Sequence, residues 1–157
     1  MSQSTTSNVA PDYDTIVIGA GITGMYSIYR LREMGMTALC FEAGTGVGGT
    51  WYWNRYPGAR FDSESHSYGF SFSEELLQEW NWTEKFSPQP ETLRYLTFVA
   101  DKFDLRRDMR FNQRVATAHY NESDSLWYVE TEDGTRTSAR YVITGVGGLS
   151  APFYPDF

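Results

Sequence analysis

Three glycines at fixed spacing, followed eighteen residues later by an acid, are the residues of this sequence best suited to binding chemistry. In the pattern formed by Gly19, Gly21 and Gly24, the first glycine permits a tight turn and the second lets the backbone approach a pyrophosphate. The third allows a helix to pack closely on a strand. Glu42 stands where a carboxylate accepts hydrogen bonds from an adenosine ribose. The spacing predicts a dinucleotide site, and a glycine-rich turn without a ligand is the alternative.

A β-α-β unit is needed to position these residues. The β-branched run at 15–18, which no charge interrupts, predicts a buried parallel strand that leads directly into the glycines. Apolar residues then recur at helical spacing until Gly35, and a second strand at 37–41 ends in Glu42. In this arrangement the phosphates lie at the N-terminus of the helix, where free N–H groups and the helix dipole favour an anion.

The rest of the chain predicts an α/β fold, in which a Rossmann-like parallel sheet carries a helical insert and a small antiparallel β-meander. Residues 43–62 are rich in glycine and then in aromatic residues, and they indicate a long functional loop. Helices are predicted at 74–80 and 90–103. Short strands are predicted at 109–112, 115–120, 126–131 and 136–140, with a hairpin turn at Asp133-Gly134 and a strand at 141–144 that returns to the parallel sheet.

Composition excludes several other classes of protein. The net charge of -7 argues against nucleic acid or an anionic membrane as a partner. No apolar run is long enough to span a bilayer and the first residues do not resemble a secretory signal, so we expect a cytoplasmic protein. Cys40 is expected to be small core filler. His66 and His119 are isolated, so no metal site is expected.

The run Gly48-Gly49-Thr50-Trp51-Tyr52-Trp53-Asn54-Arg55-Tyr56-Pro57-Gly58-Ala59, with Asp62 following, closely resembles the flavin-domain signature of Baeyer–Villiger monooxygenases. The resemblance continues through 71–75 and 79–82 and reaches Leu149-Ser150-Ala151-Pro152. It covers about residues 12–157. It implies an enzyme that holds FAD, reduces it with NADPH, and traps O2 as a flavin C4a-peroxide that converts ketones to esters or lactones.

The resemblance also implies roles for individual residues. Gly19, Gly21 and Gly24 would face the FAD pyrophosphate, and Glu42 the ribose. Gly49, Thr50 and Trp51 would line the flavin end of the cofactor, and Asp62 and Tyr68 would lie beside the isoalloxazine. The main chain of Val115 would contact the adenine. Gly145 would be the glycine that allows a close approach after the returning strand. Asp62 is the expected catalytic residue, which would orient a cation near the flavin. The alternatives are core packing for Trp51 and Trp53, and a turn-capping role for Asp62.

Domain boundaries follow from the polar, aperiodic composition of the first residues and from the resemblance. We expect a mobile tail at 1–11, an FAD-binding segment at 12–148, and the start of a linker at 149–157. The NADPH-binding motif and the C-terminal part of the FAD domain would come from the remainder of the protein's own chain, so this segment alone is expected to be inactive. Two alternatives stay open, an N- or S-oxidising flavin monooxygenase and a non-catalytic FAD-binding module.

Overall fold

The computed structural model describes residues 9–150 and 154–157, so residues 1–8 of the expected tail at 1–11 and residues 151–153 of the expected linker lie outside this range. Six strands form one sheet in the order β3-β2-β1-β6-β5-β4. The strands are β1 (Tyr13–Ile18), β2 (Ala38–Phe41), β3 (Met109–Arg110), β4 (Val115–Asn121), β5 (Leu126–Thr131) and β6 (Arg136–Thr144). The helices are α1 (Ile22–Glu33), α2 (Thr50–Trp53), α3 (Ser65–Tyr68), α4 (Glu74–Glu79) and α5 (Gln89–Lys102), and a 3₁₀ turn spans Leu105–Asp108.

The parallel part of the sheet is the predicted β-α-β unit. Strand β1 lies between β2 and β6 and is parallel to both, with Val17 opposite Cys40 on one side and Ile143 on the other. Helix α1 connects β1 to β2, and its buried side chains follow the helical spacing seen in the sequence. The predicted α/β class and Rossmann-like start are therefore confirmed.

The meander and the parallel sheet are joined by one strand. The sequence suggested separate strands at 136–140 and 141–144, but β6 runs without interruption through both because no glycine or proline breaks it. Its first half is antiparallel to β5, and its second half is parallel to β1. The meander consequently extends the central sheet and does not form a separate one.

Two apolar layers cover the two faces of the sheet. Val17 and Cys40 pack with helices α1 and α5, whereas Ile16, Leu39 and Phe41 pack with the buried apolar residues of β5 and β6. This alternation follows from the two-residue period of a strand. Burial, together with the nearby charge of Glu42, raises the pKa of the Cys40 thiol to about 12. The thiol therefore stays protonated, as expected of core filler.

The long segment after β2 contains more regular structure than expected. A single helical turn, α2, begins at Thr50 within the predicted loop, and another, α3, lies after it in the segment 63–73, for which no element was predicted. Ser73 caps α4, because its hydroxyl oxygen accepts from the N–H of Leu76 at 3.2 Å. No helix among the described residues is both long and apolar enough to cross a membrane.

Candidate dinucleotide-binding site

Two of the three motif glycines are required by the fold itself. Gly19 has φ +98°, and a Cβ atom added there would lie 2.7 Å from the carbonyl oxygen of Gly145. A Cβ added at Gly24 would lie 1.8 Å from the carbonyl oxygen of Gly19, so helix α1 could not approach the turn. Both distances are far below normal contacts, and the two glycines therefore bring β1, α1 and the end of β6 together.

The fold places no such demand on Gly21. Its backbone is extended, with φ -77° and ψ -167°, a conformation open to any residue. The nearest atom to an added Cβ is the Cα of Gly49, at an ordinary 3.4 Å. Gly21 precedes the twelve-residue helix α1, whose first turn has neither a side-chain cap nor an acid. The glycine thus leaves uncapped N–H groups accessible to an anion.

Glu42 is a buried acid, only 5% exposed, at the end of β2. Its Oε2 accepts from the N–H of Ala20 and its Oε1 from the N–H of Gly44, both at 2.7 Å. The carboxylate therefore joins the glycine turn to the loop after β2. Each carboxylate oxygen has a second acceptor position, and the side chain lines a cleft, so it can also accept from ribose hydroxyls.

An aromatic wall is built from α2 and α3. Trp51 is 7% exposed, and its indole N–H donates to the hydroxyl oxygen of Tyr68 at 2.8 Å. The ring of Phe61 stacks on that of Tyr68 at 4.1 Å and meets Trp51 edge-on at 5.8 Å. Gln89 donates to the backbone carbonyl of Trp51 and ties α2 to α5. These contacts fix the positions of Trp51, Phe61 and Tyr68 relative to one another.

Electrostatics at this wall keep Tyr68 protonated. Burial raises the pKa of the Tyr68 hydroxyl, the hydrogen bond from Trp51 opposes that rise, and the charge of Asp62 adds a smaller increase. A neutral hydroxyl that already accepts from Trp51 still has its own proton to donate. Tyr68 can therefore act as a hydrogen-bond donor towards the cleft.

These parts surround one cleft of about 550 Å³. All of the predicted site residues except Gly24 and Asp62 line this cleft. The predicted residues that line it are Gly19, Gly21, Glu42, Gly49, Thr50, Trp51, Tyr68, Val115 and Gly145. Gly24 is a buried residue of α1 that packs against the turn at Gly19, consistent with a packing role. Asp62 is exposed and forms no hydrogen bond or ion pair with the described residues, and only its charge acts on Tyr68. Its catalytic role stays a prediction.

Several lining residues were not predicted from the sequence. Gln113 and Arg114 lie at the Glu42 end, where the N–H of Gln113 donates to the carbonyl of Glu42 at 2.9 Å. Trp53 and Asn54 also line the cleft. Gln113 and Arg114 immediately precede Val115, which was predicted to contact the adenine, and this position could have indicated that they line the cleft. Within 9–150 and 154–157, no group of three or more His, Cys, Asp or Glu residues has a metal-binding arrangement.

Comparison with known proteins shows which proteins this chain is similar to. The profile of the NAD(P)-binding Rossmann-like domain family matches residues 17–80. A Baeyer-Villiger monooxygenase of Pseudooceanicola batsensis is 46% identical over 153 residues, covering 97% of this chain and 28% of the relative. Cyclohexanone 1,2-monooxygenase of an Acinetobacter species is 47% identical over 146 residues, covering 92% and 27%. The chain is homologous to the N-terminal part of Baeyer–Villiger monooxygenases.

The three-dimensional comparison agrees with the sequence. The structure of OTEMO in complex with FAD and NADP superposes with a TM-score of 0.90 at 47% identity, covering 94% of this chain and 28% of that one. The resemblance to Baeyer–Villiger monooxygenases is therefore confirmed in sequence and in fold. The chain spans 27% to 28% of the length of the curated Baeyer–Villiger relatives it matches.

Proposed function

We propose that this chain is the FAD-binding part of an NADPH- and O2-dependent Baeyer–Villiger monooxygenase that converts ketones to esters or lactones. The similar structure named above is a complex with both FAD and NADP, so the first question is which of the two this cleft fits. The single observation that supports FAD is the position of Glu42.

Glu42 favours FAD because of charge. A buried carboxylate at the ribose position accepts from free hydroxyls, which the adenosine of FAD provides. NADP carries a phosphate on the 2′-oxygen of that ribose, and NADP sites normally supply an arginine there. Arg114 lines the Glu42 end of this cleft, but its guanidinium is paired with Glu132 at 3.8 Å. A buried carboxylate beside that phosphate would place like charges in contact in a poorly solvated site. The acid therefore favours FAD and disfavours NADP in this cleft.

The remaining parts of the cleft fit the rest of FAD. Gly21 and the uncapped start of α1 would hold the pyrophosphate. Trp51 and Tyr68 would line the flavin, with the Tyr68 hydroxyl donating to it. Bound FAD supplies the redox chemistry with NADPH and O2, while the protein supplies binding, orientation and electrostatics. Asp62 stands near Tyr68 and would orient a cation of the longer chain.

The rest of the proposal concerns the whole protein. Its substrates would be a small-molecule ketone and O2, without nucleic acid or membrane partners. Its location would be cytoplasmic, and the remainder of its own chain would supply the NADPH site and complete the FAD domain. A relative named cyclohexanone 1,2-monooxygenase supports a ketone as substrate.

One observation favours a second candidate function. Phenazine N-monooxygenase PhzNO1 of Lysobacter antibioticus is 41% identical over 145 residues, covering 92% of this chain and 27% of the relative. Oxygen transfer to a ring nitrogen is therefore the second candidate. The described residues would form only one wall of the reaction site, and nothing in their contacts distinguishes the two reactions.

The test uses the purified full-length protein with NADPH in air, offered a cyclic ketone or phenazine. We expect FAD to co-purify and the ketone to yield a lactone, detected by mass spectrometry. A phenazine N-oxide without any lactone would favour the second candidate. Protein that purifies folded and binds NADPH but not FAD in this cleft would contradict the cofactor assignment. The Gly21→Val variant is the control that should lack FAD.

A further inference from the structure

Glu91 is a buried acid that is not among the residues lining the cleft. It lies in the first turn of α5 and is only 2% exposed. Its Oε1 accepts from the N–H of Thr83 at 2.8 Å. Its Oε2 accepts from the hydroxyl group of Thr83 at 2.9 Å and from that of Ser87 at 3.0 Å. A buried carboxylate is costly without such donors, so these three hydrogen bonds hold the loop at 83–87 against α5.

The loop at 83–87 in turn holds Ser65, the first residue of α3, which is 1% exposed. The N–H of Ser87 donates to the hydroxyl oxygen of Ser65 at 3.1 Å. The Ser65 hydroxyl group donates to the backbone carbonyl of Glu84 at 2.7 Å. Glu91 therefore fixes the start of α3 through this loop.

Helix α5 also holds the other end of α3. Tyr95 follows Glu91 by four residues, so the two side chains lie on the same face of α5. The hydroxyl oxygen of Tyr95 accepts at 2.7 Å from the N–H of Phe70, which lies two residues beyond Tyr68, the last residue of α3. A helix of four residues is not stable by itself. The orientation of Tyr68 therefore depends on these two attachments to α5.

The orientation of Tyr68 matters because this residue provides the hydrogen-bond donor of the aromatic wall. Its hydroxyl oxygen accepts from the Trp51 indole, and its own proton stays available towards the cleft. A hydrogen bond weakens steeply as its angle departs from linear, so a small rotation of α3 would weaken any bond from this donor. Helix α5 also holds the carbonyl of Trp51 through Gln89. One helix therefore sets the positions of both aromatic partners.

We propose that Glu91 is a positioning residue for the bound flavin, because it sets the direction of the Tyr68 hydroxyl group by holding the start of α3. This inference rests on the proposed function, since it needs the flavin at Tyr68. Glu91 itself would contact neither cofactor nor substrate. An acid with a purely structural role would stabilise the fold without changing the flavin, and this difference can be measured.

The test measures the FAD dissociation constant and the midpoint potential of the bound flavin in variants of the full-length protein. Tyr68→Phe removes one hydrogen bond between neutral groups and should raise the dissociation constant about 2- to 12-fold. Glu91→Ala should raise it by no more than that, and it should shift the midpoint potential in the same direction. The double variant should match Tyr68→Phe alone, because Glu91 then has no hydroxyl group to direct.

Three further variants sharpen the test. Glu91→Gln keeps an acceptor oxygen for the N–H of Thr83 and should restore most of the FAD affinity. Ser87→Ala removes one of the three donors and should give a milder form of the same effect, which decides the inference if Glu91→Ala does not fold. Ser138→Ala is the matched control, because Ser138 is also buried and hydrogen-bonded, to Asp12, but is not among the lining residues of the cleft. It should lower the melting temperature and leave the flavin unchanged.

Each outcome decides the inference. A Glu91→Ala protein with a lower melting temperature but an unchanged FAD affinity and midpoint potential would overturn it and leave Glu91 a structural role only. Additive effects in the double variant would also overturn it, because Glu91 would then act by a route other than Tyr68. An unchanged flavin in Tyr68→Phe would overturn it as well, and FAD binding as such would still stand. Failure of the folded, unmodified protein to bind FAD would contradict the proposed function itself.

Discussion

The two walls of the cleft are built in different ways. The wall at the glycine turn consists of backbone held by close approaches, such as that between Gly24 and the carbonyl of Gly19, and by the buried acid Glu42. The aromatic wall consists of side chains that position one another, with Trp51 donating to Tyr68. The backbone wall tolerates no added atoms at its contacts, whereas the aromatic wall depends on a few hydrogen bonds and ring contacts. Their sensitivities to substitution should therefore differ.

The largest effect is expected from Gly24→Ala, which places a Cβ 1.8 Å from the carbonyl oxygen of Gly19. Because backbone lies on both sides of the contact, α1 must move away from β1, at a cost of about 3 kcal/mol or more. Gly21→Ala is the matched control, since its Cβ makes only ordinary contacts. Thermal unfolding of both full-length variants measures the difference. Equal melting temperatures would show that the backbone wall is not rigid.

Glu42→Ala should come next, because it affects both the fold and the ligand. Loss of the carboxylate leaves the N–H groups of Ala20 and Gly44 without their acceptor, so the FAD-free protein should unfold at a lower temperature. FAD affinity should fall by about 1.5–3 kcal/mol, the range for hydrogen bonds to a charged group.

Flavin fluorescence titration measures the FAD affinity of the Glu42 variant, and calorimetry of the FAD-free protein measures its stability. Glu42→Gln, which keeps one acceptor oxygen, should be intermediate in both. A variant with reduced stability and unchanged FAD affinity would remove Glu42 from the ribose site and leave it only a structural role.

The aromatic wall should respond more weakly. Trp51→Phe and Tyr68→Phe each remove the hydrogen bond between these two side chains. In a double-mutant cycle we expect a coupling energy of about 0.5–1.5 kcal/mol, the usual net value of one such bond. Urea unfolding of the four proteins provides the data. A coupling energy of zero would mean that the wall is positioned by ring packing alone.

The smallest effect is expected at an exposed residue outside both walls, in the hairpin between β5 and β6. Hydrogen bonds from Thr131, Gln113 and Thr135 hold the pKa of Asp133 well below its usual range. A carboxyl whose pKa is lower in the folded state stabilises the fold above its unfolded pKa of about 4, and this stabilisation declines as the pH falls further. The difference in urea midpoint between the unmodified protein and Asp133→Ala should therefore be smaller at pH 3 than at pH 7. A difference that grows on acidification would contradict the assignment.

The glycine wall could be predicted from sequence because its geometry is local. The spacing of Gly19, Gly24 and Glu42 is imposed by one strand, one turn and one helix, and each requirement is visible in the chain. The joining of the meander to the parallel sheet through β6 was less visible, since pattern alone cannot show whether neighbouring strands at 136–140 and 141–144 are continuous.

The aromatic wall could be predicted only in part. The resemblance pointed to Trp51, but nothing local distinguishes it from Trp53. The difference arises from Phe61 and Tyr68, which come from later in the chain and cover one indole and not the other. Arg114 enters the cleft because β3 and β4 lead the chain past the end of β2, which is a long-range consequence of the fold.

The central claim is that the pyrophosphate of FAD lies directly against the backbone at Gly21. The most direct test is the flavin content of the full-length Gly21→Val variant. The fold leaves ordinary room for a Cβ at Gly21, so the variant should fold, as far-ultraviolet circular dichroism would show. Its side chain would occupy the space where the pyrophosphate approaches. We predict folded protein that purifies nearly free of FAD, with Gly21→Ala intermediate. A folded Gly21→Val protein with a full complement of FAD and a normal flavin spectrum would contradict the claim.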